Sequence, residues 1–580
     1  MNIEGCFILK RANIFVKILE SHFFKKVFSN KKIIVLSNMK KISIVFSFIF
    51  FSTTLFSQKK YKSDWKSLSK HNESPEWFKD AKFGIYFHWG PYSVPAYGNE
   101  HYPRTMYGHI SGKQPKPKTK REEGVGVGFQ TYREHEFHKA KFGQPKDFEY
   151  HDLVPLFKAT NFNPEKWADL FQLSGAKFAG PVAMHHDGYA MWNSKITPWN
   201  AAQSGPNVDV LGELAKAIRK RDMKLITTFH HAKVGRYDEG SKKHRWHYYG
   251  REKYMEREAP KQVGKDSEAL RKLYGTMPWE EFCVMWNDLL KEVIDNYKPD
   301  IIWFDSWLDR LPQKNRQKFA SYYLNEAKKW NKEVVITYKQ NDMPQDIGVL
   351  DFEKGRMDQM TDYTWLTDGT ISDGSWSTTG SWSYTEELDI KSAKTLLHIL
   401  IDIVSKNGNF LLNISPTADG VIPSEQEKSL LEMGTWLRAN GEAIYGTRPF
   451  ITYGEGPKRL QGSGHFVSMT KPYDDENIRY TTKDNAIYAI QMGWAGSHKK
   501  LVLKAFSKEN LKETKITNVS VVDSSEKISW KLTDDGLLIT TPFKASNKVA
   551  LCFKIETKNG WKTMRQAVEP LKKGPFKIDG

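Results

Sequence analysis

The chain has 580 residues, which is enough for two or three domains with a large buried core. Its three cysteines exclude a small fold held together by disulfides, and its net charge of +19 favours a polyanionic partner. Aromatic residues make up 13% of the chain, including 19 Trp, and this surplus fits either a carbohydrate-binding protein or a Trp-rich core.

The first recognisable pattern along the chain begins at Met39. Lys40 and Lys41 precede an apolar run over 42–52, and Ser57 is a small residue at a plausible cleavage point. The run is shorter than the roughly 20 residues that span a bilayer, so an export signal is expected rather than a stable membrane anchor. Residues 1–57 are therefore interpreted as a doubtful extension plus a signal peptide, with the true start at Met39 and a periplasmic or secreted protein.

The composition after this segment narrows the choice of partner. Residues 1–57 contain nine basic and two acidic residues, so the remainder keeps a net charge of +12. Cys283 and Cys552 remain, and neither has metal-ligand spacing with another cysteine. For an exported protein, this charge favours a sulfated or uronic-acid polysaccharide over nucleic acid. A solvated lysine surface is the alternative.

Residues 58–450 alternate short apolar strands with helical stretches. Strands are predicted at Phe83–His88, Phe178–Met184, Leu225–Phe229, Ile301–Asp305, Val334–Tyr338 and Phe410–Ile414. Helices are predicted at Pro164–Leu173, Val210–Arg221, Trp279–Asn296 and Lys314–Trp330. This alternation predicts an α/β fold, a (β/α)8-like TIM barrel. A doubly wound open sheet is the alternative, although no glycine-rich dinucleotide or P-loop motif is present.

Two further segments complete the predicted organisation. Ser111–Gly128 is rich in Lys, Pro and Gly and predicts an exposed insertion at the rim where barrel enzymes place their active sites. After Pro449 the pattern changes to short alternating segments, which predict an all-β sandwich over 451–565 and a tail over 566–580. These segments are Ala486–Met492, Lys500–Ala505, Val519–Val522, Leu537–Thr541 and Val549–Ile555.

Polar side chains in aromatic company follow several of the predicted barrel strands. They are His88, His185, His186, His230, His231 and Asp305. The carboxyl ends of barrel strands converge on one rim, which is where such enzymes carry their chemistry. A carboxylate buried among Trp303, Phe304 and Trp307 is unfavourable unless partners or a function compensate it. A helix-capping role for Asp305 is the alternative.

Taken together, these segments resemble the α-L-fucosidases of glycoside hydrolase family 29. The matching segments are AKFGIYFHWGPYSVPAYGNE at 81–100, HHDGYAMW at 185–192, WFD at 303–305, VSKNGNFLLNISP at 404–416 and NGEAIYGTRP at 440–449. The resemblance covers roughly residues 62–450. It implies a catalytic (β/α) barrel followed by a β-sandwich, in agreement with the pattern of strands and helices.

The resemblance implies a retaining mechanism with Asp305 as the nucleophile that attacks the fucose anomeric carbon. A carboxylate can form a glycosyl-enzyme ester that water later hydrolyses. Glu353 is the expected acid/base, on a loop after the strand Val334–Tyr338, and Asp351, Asp358 and Glu100 are its competitors. No metal and no cofactor are expected.

The same resemblance assigns the sugar-binding residues. His88, Glu100, His185 and His186 are expected to hold fucose hydroxyls, and Trp89 is expected either to form a wall of the pocket or to support His88. The remaining candidates are His101, His230, Lys339, Trp376 and Trp382, of which the two Trp residues have barrel-rim packing as their alternative.

Three of these candidates depart from the family pattern. His101 stands where a Trp is usual, Lys339 where an Arg is usual, and Phe229-His230-His231 where a Tyr/Ser-containing segment is usual. Lys339 cannot reproduce the planar fork of a guanidinium. These departures predict altered subsite contacts with the core chemistry retained.

The sequence therefore predicts an exported retaining exo-α-L-fucosidase that releases terminal α-L-fucose from fucosylated glycans, with sulfated fucan oligosaccharides among the expected substrates. A fucosidase-like barrel that binds such glycans without cleaving them is the main alternative. A metal-dependent hydrolase built on His88, His185, His186, Asp187 and His230 is a further alternative, disfavoured because no H-x-H or H-E-x-x-H motif is present.

Overall fold

The computed structural model describes residues 60–109, 131–235, 256–257, 267–373, 381–467 and 473–574. The predictions for 1–57, for Ser111–Gly128 and for Trp376 lie outside these residues. Within them, no helix combines the length and the apolar character that crossing a membrane requires.

Eight parallel strands close into a barrel. In chain order they are β1 (Phe83–Phe87), β3 (Phe178–Met184), β4 (Lys224–Phe229), β6 (Ile301–Phe304), β7 (Val335–Lys339), β8 (Val349–Glu353), β9 (Trp365–Thr370) and β10 (Gly408–Ile414). Around the barrel the order is β1-β10-β9-β8-β7-β6-β4-β3, and every neighbouring pair is parallel. The predicted TIM-like barrel is confirmed, and the open-sheet alternative is wrong.

Two of the barrel strands, β8 and β9, were not predicted. They read Val-Leu-Asp-Phe-Glu and Trp-Leu-Thr-Asp-Gly-Thr, so polar residues interrupt the apolar runs that reveal the other strands. In contrast, β1, β3 and β10 are buried along their whole length and carry long apolar runs. Strands buried on both faces have this character in parallel sheets.

Among the described residues, two helices precede the first barrel strand and the others follow it in the chain. They are α1 (Trp65–Leu68), α2 (Glu76–Ala81), α3 (Tyr102–Thr105), α4 (Thr131–Lys141), α5 (Tyr150–Leu153), α6 (Pro164–Leu173), α7 (Val210–Arg219), α8 (Glu268–Tyr274), α9 (Trp279–Tyr297), α10 (Gln313–Lys329), α11 (Ala393–Ser405) and α12 (Ser424–Asn440). The four predicted helices are α6, α7, α9 and α10, with ends that agree to within two residues.

Local sequence signals set the beginnings of these helices. Asn163 accepts a hydrogen bond from the Lys166 amide at the start of α6, where Pro164 occupies the first helical position. Asp209 caps α7 in the same way through the Gly212 amide. The buried faces of both helices then join the main hydrophobic core with the outward side chains of the barrel.

The C-terminal region consists of antiparallel sheets, as the alternating pattern predicted. One sheet has the order β11 (Gly454–Glu455), β12 (Ile478–Lys483), β13 (Ala486–Gln491), β18 (Leu551–Thr557), β15 (Ile516–Val521), and the other has β14 (Lys500–Leu503), β17 (Gly536–Thr540), β16 (Trp530–Thr533). Tyr480, Phe553 and Ile539, from both sheets, share one hydrophobic core. A short helix, α13 (Lys508–Leu511), lies between β14 and β15, and the strands β2 (Gly108–His109) and β5 (Glu256–Arg257) form a separate pair. The domain boundaries predicted from the sequence stay predictions.

Candidate active site

Asp305 follows β6, the fourth barrel strand in chain order, and its carboxylate lies among three nitrogen groups. Its Oδ2 is 2.9 Å from Lys233 Nζ and 3.3 Å from His186 Nε2, and its Oδ1 is 3.4 Å from Lys339 Nζ. The backbone N–H of Asp305 donates to the Phe229 carbonyl at 3.1 Å and so continues the barrel ladder. The side chain is 10% exposed. These contacts compensate the charge of a carboxylate that is buried among aromatic side chains.

The charges around Asp305 keep it ionised. Burial opposes ionisation, but Lys233 and Lys339 outweigh it, with His186 and His230 adding to their effect, and hold the pKa of Asp305 well below its ordinary value. A carboxylate is the form that can attack an electrophilic carbon. Sequence reasoning missed Lys233, which lies on a 3-10 turn over His231–Lys233 directly after His230.

The predicted histidines converge beside Asp305. His88 follows β1, His185 and His186 follow β3, and His230 follows β4. The ring centres of His88, His185 and His230 are 4.6 to 5.2 Å apart, and His101 stacks on His186 at 5.6 Å. Strand ends that are distant in the chain therefore supply one cluster of imidazoles.

Hydrogen bonds and burial determine the protonation of these rings. Asn413 Oδ1 accepts from the backbone N–H of His88 and lies 2.8 Å from its Nδ1, which must therefore carry a hydrogen and leave Nε2 as an acceptor. His186 Nδ1 likewise donates to the His230 carbonyl at 2.6 Å. Burial lowers the pKa of His88 to about 3 and, with Lys233, that of His186 to about 4. Neutral imidazoles of this kind accept hydrogen bonds from sugar hydroxyls.

The same imidazoles are also the residues that could hold a metal ion. Among the described residues, His88, His185 and His230 form the group whose ligand atoms all lie within 4.8 Å of one another. Burial lowers the pKa of His185 and His230 well below the ordinary value, so all three rings are neutral as metal ligands must be. The metal alternative therefore has a geometric basis that spacing in the sequence did not reveal.

Lys339 lies at the centre of a buried layer of carboxyl groups. Its Nζ is 3.0 Å from Glu353 Oε2, 3.2 Å from Asp368 Oδ2, 3.4 Å from Asp305 Oδ1 and 3.9 Å from Asp351 Oδ2. The strand register explains the grouping, because Lys339 pairs with Asp351 across β7 and β8, and Glu353 pairs with Asp368 across β8 and β9. We call these five residues the carboxyl layer.

The carboxyl layer holds more negative groups than its one ammonium can neutralise. Burial raises the pKa of Asp351 well above its ordinary value, with Asp368 adding to the effect, and burial also raises the pKa of Asp368. The Tyr86 hydroxyl donates to Asp368 Oδ2 at 3.0 Å. Burial disfavours the ammonium of Lys339, but Asp368, Glu353 and Asp305 raise its pKa well above the ordinary value. The layer therefore retains protons on its inner carboxyls while Lys339 stays charged.

Glu353 is the carboxyl of this layer with the best access to a substrate. Its side chain is 23% exposed, against 2% for Asp368 and 0% for Asp351. Glu353 is the last residue of β8. The sequence predicted a loop at this position, because β8 was not recognised as a strand. The backbone N–H of Glu353 donates to His465 Nδ1 at 3.0 Å. Asp351, one of its competitors, is enclosed within the barrel.

The other competitors occupy different places. Glu100 is buried, accepts a hydrogen bond from the Trp382 amide at 3.1 Å and lies 3.6 Å from His101 Nε2. Burial raises the pKa of Glu100, as is useful for an acid. Asp358 accepts from the Ser463 hydroxyl at 2.5 Å and the Gly462 amide at 3.2 Å. Of these two, the structure brings Glu100 to the histidine cluster.

Two of the predicted tryptophans have different surroundings. Trp382 lies against the cluster, with its ring 5.4 Å from His88 and Lys354 Nζ 4.8 Å above it. Trp89 is almost completely buried, donates to the Thr417 carbonyl at 2.7 Å and packs 4.9 Å from Trp167. These contacts with core residues favour the alternative role of Trp89, the support of His88, over a wall of the pocket.

Comparisons with known proteins identify the family. A family model described as Alpha-L-fucosidase matches residues 48–442, and one described as Alpha-L-fucosidase C-terminal domain matches residues 471–556. The tissue alpha-L-fucosidases of Bos taurus and Homo sapiens are each 30% identical to this chain, and each alignment covers 83% of it. Those alignments cover 87% and 88% of the two relatives.

Solved structures agree with the sequence comparisons. Crystal structures of Thermotoga maritima alpha-fucosidase, one in complex with a mechanism-based inhibitor and one with fucose, are 26% identical to this chain. Their TM-scores are 0.63 and 0.61, and each match covers 86% of this chain and 100% of the other. The resemblance seen in the sequence motifs is confirmed. The chain belongs to the α-L-fucosidases of glycoside hydrolase family 29, and it is a glycoside hydrolase of that family by descent and by fold.

Proposed function

We propose that this protein is an exported retaining exo-α-L-fucosidase, with Asp305 as the nucleophile and Glu353 as the acid/base. One observation carries the proposal: both carboxyls contact the same Lys339 ammonium. The Lys339 Nζ contacts of 3.4 Å and 3.0 Å limit the distance between Asp305 Oδ1 and Glu353 Oε2 to about 6.4 Å at most. Carboxyls about 5 to 5.5 Å apart suit a covalent intermediate, whereas inverting enzymes need room for a water molecule.

In the first step, Asp305 attacks the anomeric carbon and the glycosidic bond breaks. The departing oxygen takes a proton from Glu353, and a fucosyl ester of Asp305 forms. Lys233 and Lys339 lose the charge of their shared partner at this point, since an ester is neutral. Lys339 remains in contact with Glu353, which has just become a carboxylate, so its ammonium can stabilise the charge that moved.

In the second step, Glu353 takes a proton from a water molecule, and that water attacks the anomeric carbon. The ester bond breaks, Asp305 regains its negative charge between Lys233 and Lys339, and fucose leaves with its original α configuration. The lowered pKa of Asp305 makes it a good leaving group. The neutral Nε2 of His88 would accept a hydrogen bond from a sugar hydroxyl throughout.

Azide rescue tests the two roles separately. Glu353→Ala should lose activity on poorly activated fucosides. On aryl fucosides with activated leaving groups the ester still forms, and azide should restore turnover by attacking it to give α-L-fucosyl azide. Asp305→Gly with azide should instead give the β product, because azide then replaces the nucleophile. Glu100→Gln is the matched control for the acid/base role. Rescue of Glu100→Gln but not of Glu353→Ala would move that role to Glu100.

Charge supports sulfated fucan oligosaccharides as substrates. The segment Ser111–Gly128 contains four Lys and one Arg, and the chain after residue 57 carries +12. Lys233, which is 17% exposed, adds a cation next to the nucleophile. Sulfated fucosides should therefore turn over faster than neutral ones, and added salt should reduce the difference. Equal rates without a salt effect would contradict this substrate class.

The export signal supports a periplasmic or secreted location. Expression of the full chain in a bacterium, followed by N-terminal sequencing of the protein outside the cytoplasm, tests it. A new N-terminus near Gln58 is the expected result. Recovery of the whole chain in the cytoplasm alone would contradict it.

A non-catalytic glycan-binding barrel is the second candidate. One observation favours it: Lys339 places its ammonium 3.0 Å from Glu353, although the first step needs a proton on that carboxyl. Product NMR on fucosylated oligosaccharides decides between the two. α-Fucose appearing first, and absent with Asp305→Ala, would establish the retaining enzyme, whereas binding without any release would favour the glycan-binding protein.

A further inference from the structure

A second buried cluster of charges lies where the barrel meets the C-terminal sheets, apart from the active site. It consists of Asp402 and Lys406 at the end of α11, Arg356 after β8, and Arg479 on β12. We call these four residues the junction cluster. They are 0 to 7% exposed, so bulk water screens their charges little.

One carboxylate serves all three cations of the junction cluster. Asp402 Oδ1 accepts from Arg479 Nε at 2.7 Å, and its Oδ2 accepts from Lys406 Nζ at 2.9 Å and Arg356 Nη1 at 3.1 Å. The Tyr473 hydroxyl also donates to Asp402 Oδ1, at 3.0 Å. Burial opposes ionisation of Asp402, but the three cations outweigh it and hold its pKa below the ordinary value.

The junction cluster has more hydrogen-bond donors than the surrounding acceptors can satisfy. Arg479 Nη1 donates to the Ile478 carbonyl, whereas its Nη2, fully buried, has no hydrogen-bond partner among the residues that the structure describes. Within those residues, Asp402 is also the one carboxylate that forms an ion pair with Arg356, Lys406 or Arg479. Residues 468–472, which directly precede Tyr473, contain neither Asp nor Glu.

Proton loss cannot balance these charges. A guanidinium stays protonated in proteins, so Arg356 and Arg479 together exceed the charge of Asp402 under all ordinary conditions. Burial lowers the pKa of Lys406 to about 8, and repulsion from Arg479 and Arg356 adds to this effect. The attraction of Asp402 opposes it but is weaker. Lys406 is therefore mostly charged at neutral pH, and uncompensated buried charge is strongly unfavourable.

We propose that the junction cluster binds a small inorganic anion of the halide class, with chloride as the physiological ligand. The anion would accept from Arg479 Nη2 and from the ammonium of Lys406, whose Nζ donates to Asp402 among the described residues. With Lys406 charged, three cations face one carboxylate, so a monovalent anion offsets one of the two excess positive charges. A monatomic anion needs no directed acceptors, and its desolvation is less unfavourable than that of a divalent oxyanion.

Thermal unfolding of the full chain tests the site in solution. We expect a Tm about 2 °C higher in sodium chloride or bromide than in sodium gluconate at the same ionic strength, with saturation as the halide concentration rises. Saturation separates binding from general screening. Identical Tm values in the halide and gluconate series would overturn the proposal.

Two variants assign the effect to the junction cluster. Lys406→Met removes one donor and one charge, and should abolish most of the halide-specific rise in Tm. Lys554→Met is the matched control, because Lys554 pairs with Glu442 at 2.9 Å on the exposed side of the same junction. The control should keep the full rise. A rise that survives in Lys406→Met would place the anion elsewhere.

A crystal of the unaltered protein grown in bromide provides a measurement that needs no variant. We expect an anomalous peak within hydrogen-bonding distance of Arg479 Nη2. A peak at another place, or ordered water there without anomalous signal, would overturn the proposal. The outcome does not depend on whether the protein is a fucosidase.

Discussion

The carboxyl layer and the junction cluster are two buried groups of charges with opposite imbalance. In the first, the Lys339 ammonium faces four carboxyls; in the second, the Asp402 carboxylate faces three cations. Excess carboxyls can relieve their repulsion by retaining protons, and the raised pKa values of Asp351 and Asp368 reflect this. Guanidiniums cannot relieve their repulsion in a corresponding way, because they do not lose a proton in proteins.

This difference separates a group that can exchange protons from one that can only bind a counter-ion. Transferable protons next to Glu353 and Asp305 are useful to an enzyme that moves one proton in each chemical step. Fixed positive charge is useful at a junction, because it holds two parts of the chain through one central carboxylate. Four predictions test the comparison, and they follow from the largest expected effect to the smallest.

The largest effect should come from Asp305→Ala, which removes the nucleophile from the carboxyl layer. We expect kcat to fall by about 10⁴-fold or more, because no other group can form the ester intermediate. Binding of L-fucose, measured by calorimetry, should persist. Substantial hydrolysis by this variant, at more than about a hundredth of the original rate, would contradict the role of Asp305.

Lys339→Met removes the ammonium of the carboxyl layer, and should lower kcat/KM by about 10²-fold. Lys339 lowers the pKa of Asp305, so without it that pKa rises and the acid limb of the pH profile of kcat/KM should move to higher pH. Lys332→Met is the matched control, since Lys332 pairs with Asp300 at 2.9 Å just before β6. An unmoved acid limb in Lys339→Met would show that the layer does not tune the nucleophile.

Asp351→Asn and Asp402→Asn should change stability in opposite directions. The folded-state pKa of Asp351 is raised, so its favourable contribution is present at low pH and is lost as the pH rises through that value. Asp351→Asn should therefore raise Tm by about 2 °C at pH 8 and change it little at pH 4. The measurement is thermal unfolding across this pH range.

The pKa of Asp402 is lowered, so its contribution is present above the ordinary carboxyl pKa of about 4 and is lost as the pH falls further. Asp402→Asn should therefore destabilise the protein at pH 7, by about 3 to 5 kcal/mol, because it leaves buried cations without their partner. Shifts of the same sign in both variants would end the contrast between the two clusters.

Removal of metal ions should have the smallest effect, namely none on activity. A divalent cation bound to His88, His185 and His230 would add positive charge beside Lys233 and Lys339, which is unfavourable. Dialysis against a chelator, with elemental analysis before and after, is the measurement. Loss of a stoichiometric metal together with activity would contradict the two-carboxyl mechanism.

Much of the fold followed from the sequence, because strands buried on both faces carry unmistakable apolar runs. The runs at Phe178–Met184 and Ile301–Phe304 placed polar side chains at strand ends, and the barrel topology then required those ends to meet. β8 and β9 escaped prediction because Asp351, Glu353 and Asp368 interrupt their apolar pattern. The residues that hid these strands are the ones that form the carboxyl layer.

By itself the sequence determined the family, the barrel and the identity of the strand-end residues, since local motifs and periodicity record them directly. Only the tertiary structure decided which charges share a partner. Lys233 and Asp305 are 72 positions apart, and Asp402 and Arg479 are 77 positions apart, so no local pattern connects them. Electrostatic interactions depend on distance in space and on burial, and both arise only when the chain has folded.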